Sequence, residues 1–109
     1  MTVHRSTFFR YAHVTGPGHV LVSIRFGKRP AGGPAVVRML ASDDNDATMQ
    51  FHLDDHVAEV VSGVAQANTE LGGALEVEAI EVVPTDKPQK GQAHSAALEI
   101  ARSVLRGEV

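Results

Sequence analysis

The spacing of apolar residues changes three times along this chain of 109 residues, and each change limits what it can fold into. In HVLVSIRF, residues 19–26, Val20, Val22, Ile24 and Phe26 alternate with Leu21, Ser23 and Arg25, the period of a strand with one buried face. From Leu53 the spacing becomes helical, with Val57, Val60, Val61, Val64, Asn68 and Leu71 on the same stripe. Alternation returns in LEVEAIEVV, residues 75–83, where Ile80 and Val82 take the parity opposite to Leu75 and Val77; a bulge near Ala79 would reconcile the two halves. A second helical stripe from about His94 to Leu105 carries Ala97, Leu98, Ala101, Val104 and Leu105.

Weaker signals fill the intervals. TFFRYAHV, residues 7–14, reads as a strand, and Gly16-Pro17-Gly18 ends it in a turn. GKRPAGGP, residues 27–34, is a loop that exposes Lys28 and Arg29, because its prolines and glycines offer a ladder neither donors nor packing. Val36–Leu40 and the alternating Met49, Phe51 and Leu53 read as two strand segments that the polar turn Ser42–Asp46 could join as a hairpin. Asp54 or Asp55 can cap the first helix and Gly72-Gly73 stops it, while Arg102 and Arg106 suit the negative end of the second. The expected architecture is α+β: a single domain over residues 1–109, a two-layer sandwich of one mostly antiparallel sheet of about four strands with two helices on one face.

With 43% apolar residues the chain can build a core, but it has no cysteine, which removes disulfides, thiolate metal sites and cysteine nucleophiles. No apolar run approaches the roughly 20 residues of a membrane-spanning helix, and the start, MTVHRSTFFRYAH, lacks the apolar stretch of a signal peptide. The expectation is a cytoplasmic protein with no membrane partner. His52 and His56 stand four apart, yet Leu53 occupies the place of the glutamate in HExxH, so the expectation there is an acidic cap with solvated histidines and no metal. Asp43, Asn45 and Asp54 imitate a calcium loop, but Thr48 stands where its glycine belongs. There is neither a GxxxxGK[ST] loop nor a GxSxG elbow, so no nucleotide cofactor and no catalytic residue are expected.

Charge is segregated along the chain. Residues 1–40 hold six basic residues and no acid, residues 41–86 eleven acids and no base, and the remainder four bases and two acids. Such segregation either makes a basic surface for a polyanion or pairs the blocks across the fold. The loop Pro84–Gln92 presents Lys87, Gln89, Lys90 and Gln92, followed by His94, as donors that could meet phosphates or RNA edges.

GHVLVSIRF, VAEVVSGVAQANTELGGALEVEAIEVV and HSAALEIARSVL together resemble a strand opening, a helix with its glycine turn and following strand, and a closing helix of domain IV of elongation factor G and its relatives, over residues 16–105. The resemblance implies the ribosomal protein S5 domain 2-like fold, with a left-handed strand-helix-strand crossover, and a tip of loops that approaches the decoding region. By residue-wise matching the tip would comprise Thr15–His19 and Pro84–Gln92. The first loop, TGPG, lacks the family's arginine or glutamine, the second lacks its histidine and paired acids, and no GTP-binding domain is present. The expected function is a non-catalytic module that binds the ribosome or structured RNA through Lys28, Arg29, Lys87, Gln89, Lys90, Gln92 and His94, without GTPase activity. The alternative is a protein-interaction or homodimerisation module that keeps the fold without RNA contact. A ligand binder or small enzyme would require a pocket between sheet and loops.

Overall fold

The computed structural model describes residues 8–38 and 50–109. Along the chain run β1 (Phe9–Thr15), β2 (Gly18–Phe26), β3 (Ala35–Arg38), α1 (Leu53–Leu71), β4 (Val77–Val82) and α2 (Gln92–Leu105). Thr7, Leu40, the turn Ser42–Asp46, Met49 and the calcium-like positions 43, 45 and 48 lie outside the described residues. The four strands form one sheet in the order β1-β2-β4-β3, in which β1–β2 and β2–β4 are antiparallel and β3–β4 is parallel. The fold is therefore α+β with a mostly antiparallel sheet, as the alternation and the helical stripes imply.

Strand parity divides the sheet into two chemically different faces. Val20, Val22 and Ile24 join Ile80 and Val82 in one core with residues of both helices, including Val60, Val64, Ala97 and Ile100. The β2–β4 register runs from Arg25 opposite Ala79 to Phe26 opposite Val77, so Glu78 is the extra residue. This bulge turns Val77, 3% exposed, back to the core side alongside Ile80 and Val82.

The other face carries part of the segregated charge, and there members of the basic and acidic blocks pair. Arg10, Ser23 and Glu81 lie side by side on three strands. One Glu81 oxygen accepts from Arg10 Nη2 at 2.8 Å, Arg10 Nε at 3.1 Å and the Ser23 hydroxyl at 2.5 Å. Arg25 meets Glu78 at 3.0 Å, with its guanidinium 5.2 Å from the centre of the Phe8 ring. The basic first third and the acidic middle thus neutralise each other in these pairs.

Two expectations about α1 are corrected. Residues 50–52 are not strand: both sides of β4 are taken by β2 and β3, and the Gln50 N–H donates to the Pro84 carbonyl at 2.9 Å, which ties this stretch to the segment after β4. Neither aspartate caps the helix; His52 is the N-cap residue without a side-chain cap bond, and Asp54 and Asp55 sit in the first turn, where the helix dipole favours them. At the other end Gly72 adopts φ 66°, the left-handed conformation that lets a glycine close a helix. Asn68 completes the closure, its amide exchanging two 2.9 Å bonds with the Leu75 backbone.

The buried stripe of α1 is His56, Val60, Gly63, Val64 and Ala67, rotated from the valine stripe because α2 lies against it. The two helices run parallel: Gly63 packs against Ala97 and Leu98, Glu70 pairs with Arg102, and Gly73 approaches Leu105. A Cβ on Gly63 would press on the His94 carbonyl and stand 3.0 Å from the Ala97 methyl, so only glycine permits this approach. Among the described residues no helix is long and apolar enough to cross a membrane.

Candidate functional site: the loop end and a histidine-floored groove

Parallel helices on an antiparallel hairpin bring four features to one end of the molecule: the turn at Gly16-Pro17, the segment from Val83 to Gly91, and the N-termini of α1 and α2. The segment is held there by β2. His19 and Lys87 exchange backbone bonds of 3.1 Å, and the Leu21 N–H donates to the Asp86 carboxylate at 2.8 Å. Asp86 thereby supplies the acceptor that β4, ending at Val82, cannot. Burial pushes its carboxyl pKa up, and the Leu21 N–H and His19 work against that rise.

Gln92 is the clasp of this end. It is 5% exposed, and its amide nitrogen lies within bonding distance of His13 Nδ1 and the carbonyls of His13 and Gly18, at 3.0–3.1 Å. Its amide oxygen accepts from the Gln89 N–H at 2.9 Å. It orients the loop from beneath rather than facing outward as the sequence reading expects. His94 is half-buried and its Nε2 lies 2.8 Å from Gln66 Oε1. Since Gln66 donates to Glu70, which in turn accepts from Arg102, His94 heads a polar chain along the helix pair. The Gln66 amide and then Arg102 hold the Glu70 carboxyl below its ordinary pKa.

The exposed candidates divide between two ends of the sheet. Lys87, Gln89 and Lys90 are exposed at the loop end, beside the start of β2. Lys28 and Arg29 are exposed beyond its finish, where Arg29 borders a small hollow with Val61, Asn68 and Leu75. The nine residues of β2 separate the two groups, about 30 Å at roughly 3.3 Å per residue.

Between the start of α1 and the loop lies an open groove of about 620 Å³. Its α1 wall carries His52, Asp55 and Glu59, and its other wall Pro88, Gln89 and Lys90, with Phe51, His56 and Ala93 also lining it. His56, expected to be solvated, is 3% exposed because α1 turns it inward at the head of the buried stripe. Its ring lies 5.1 Å from that of Phe51, and neither Nδ1 nor Nε2 has a hydrogen-bond partner among the described residues. Burial holds its pKa below the ordinary imidazole value, with Glu59 opposing the shift. An imidazole held below that value is mainly neutral at pH 7, and among the described residues its one donor and one acceptor lack partners. Among the described residues no three metal-ligating side chains gather closely enough to hold an ion.

Comparisons with protein-family models, curated proteins and solved structures found no match to this chain. The groove therefore has to be read from its own chemistry. Sequence reasoning misses it because its walls come from residues 50–59 and 88–93, which only the fold juxtaposes; the one available signal was a histidine at the edge of an apolar helical stripe.

Proposed function

We propose that this chain is a non-catalytic module that meets single-stranded or structured RNA, on the ribosome or elsewhere, with its loop end. The observation that carries the reading is the clustering of exposed Lys87, Gln89 and Lys90 on a loop tied to β2 through Lys87 and Asp86, beside the N-termini of both helices. Lysines and glutamines suit phosphate and base-edge contacts, and a loop held by Asp86 and Gln92 presents them with less ordering cost than a free one. The resemblance to domain IV of elongation factor G supports the same end of the molecule. Lys28 and Arg29, at the far end of β2, fall outside this surface, which narrows the RNA contact to the loop.

Co-sedimentation with ribosomes and filter binding to unstructured RNA, each at low and moderate salt, test the reading with two double variants. Lys87→Glu with Lys90→Glu is expected to abolish salt-sensitive binding, whereas Lys28→Glu with Arg29→Glu retains it within about twofold. For single strands the logarithm of affinity should fall by roughly 0.7 per contacted phosphate for each logarithmic unit of salt. Equal losses in both variants, or salt-insensitive binding, refute it.

A second reading has its own observation. β3 forms an edge of the sheet among the described residues, and Val36 and Val37 on it are 37% and 46% exposed. An edge strand of this kind suits pairing with a protein partner or a second copy. Concentration-dependent sedimentation without RNA binding favours that alternative.

A further inference from the structure

We infer that the open edge of β3 and the adjoining flank of α1 form the interface of a two-fold symmetric dimer, in which two copies of this chain join their sheets. The inference rests on the second reading above, whose partner it specifies, and does not depend on the RNA reading.

The edge supplies the first reason. α2 packs on β1 and β2 and α1 on β4, so the sheet reaches one strand beyond the helix layer. Val36 shows the consequence: it stands opposite Ile80 on the helix side, yet it is 37% exposed while Ile80 is fully buried. Val37, on the other face, and Ala35 are exposed as well. Three consecutive exposed apolar residues on an edge strand invite pairing, and chains that work alone place charges or bulges there instead.

The flank of α1 supplies the second reason. Gly63 and Glu70 face α2, so the helical period turns Val57, Val61 and Ala65 away from it, towards the overhanging strand. Val57 and Val61 are only half-buried, Ala65 is exposed, and from Val60 to Thr69 the helix bears no charge. On this side a hollow of about 180 Å³ opens between Val61, Ala65, Leu75 and Val77.

Symmetry and charge select a second copy as the occupant. A two-fold axis perpendicular to the sheet runs the two β3 strands antiparallel and keeps both helix layers on one side. Facing residues then point to the same face, and an axis at Val36 sets Val36 against its counterpart and Ala35 against Val37, so each of these pairs is apolar. The two α1 helices stand three strand spacings apart, about 14 Å, against a helix diameter of about 10–12 Å, so their flanks close over the Val36 pair and leave no room for a further element. Because the helices run antiparallel, each brings its acidic first turn, with Asp54 and Asp55, towards the end of the other where Arg29 borders the hollow. Opposite charges thus meet at the rim of an uncharged contact. The loop ends of the two copies point in opposite directions and stay open.

Sedimentation equilibrium without RNA, from about 1 μM to about 1 mM, covers weak to moderate affinities. The apparent mass is expected to rise towards twice that of the single chain. Val36→Lys puts a charge at the axis and is expected to weaken association at least tenfold, whereas Val14→Lys, at an exposed valine on the opposite edge strand, leaves it unchanged. A 15N spectrum of each variant verifies its fold. Isotope-filtered NOE spectra on mixed 13C-labelled and unlabelled natural chain need no variant, and are expected to show contacts between the Val36 methyls of the two copies. A chain that stays monomeric throughout excludes the second copy and overturns the inference, leaving the edge to a different protein. Association that survives Val36→Lys, or intermolecular contacts away from β3, also overturns it. The Lys87→Glu, Lys90→Glu variant is expected to dimerise like the natural chain, so a failure of the RNA reading leaves the dimer standing; dimerisation lost in that variant would move the interface to the loop end and refute the β3 pairing.

Discussion

A buried imidazole with no hydrogen-bond partner among the described residues carries an energetic cost that a titration can expose. His56 is held below its ordinary pKa of 6.5 by burial, so the unfolded chain takes up a proton at higher pH than the folded one. Stability unaffected by this group above about pH 6.5 is then lost as pH falls from there towards the depressed folded value. In urea titrations between pH 7.5 and 5, His56→Phe should show a shallower acid decline than the natural chain. At pH 7.5 it should be as stable or more so, by up to about 1–3 kcal/mol, because two unsatisfied polar atoms are gone. Parallel acid profiles for the two proteins would mean that His56 is not what the burial implies. His52 at the N-cap of α1, Asp55 and Glu59 within it and Lys90 from the loop line the same groove, so the comparison with His56→Phe, not the raw profile, carries the test.

At the scale of elements, two joints decide whether the pieces assemble. The first is the α1–α2 crossing at Gly63, where a larger residue must push the helices apart. Gly63→Val should destabilise the protein by about 1–3 kcal/mol, the usual cost of overpacking, with a lowered Tm and fold-wide loss of amide protection. An unchanged Tm would show that the helices are not locked at this point. The second joint is Asp86, standing in for the missing end of β4. Asp86→Asn keeps an acceptor for the Leu21 N–H and should cost little, since the charged form already suffers from burial. Asp86→Ala strands that donor and should cost about 1–3 kcal/mol, with faster hydrogen exchange at Leu21 in particular. Similar exchange in the two variants would dissociate Asp86 from the strand.

At the scale of the whole molecule, one core cluster joins the sheet to both helices, so unfolding should be a single transition. Calorimetry should give an enthalpy of about 60–80 kcal/mol, equal to its van't Hoff value, as for other chains near this size. Two resolved transitions would mean that the helical layer melts apart from the sheet. How much of this was legible in the sequence follows the range of the signals. β2, both helices, the Gly72 stop and the bulge before Ile80 are local patterns, and they appear where periodicity puts them. The parallel β3–β4 pair, the closeness of Gly63 to Ala97 and the separation of Lys28 from Lys87 are contacts between distant residues, which no local period encodes. Phe51 and His52 mislead for the opposite reason: they alternate like a strand, but β4 has no free edge for them. The groove depends on these same long-range placements, and Gln92 looked like a surface donor only because its partners on β1 and at Gly18 are more than 70 positions away.

The position of β4 between β2 and β3 also sets a timetable for synthesis. Once residues up to Arg38 have emerged from the ribosome, β1 and β2 can form their hairpin, but the strand that must bridge β2 to β3 has yet to follow. At about 5–20 residues per second, the further stretch to Val82 takes several seconds. During that interval the apolar side of the hairpin has neither its central neighbour nor α2 to cover it, so the nascent chain, rather than the finished protein, is the species most exposed to aggregation and to capture by chaperones.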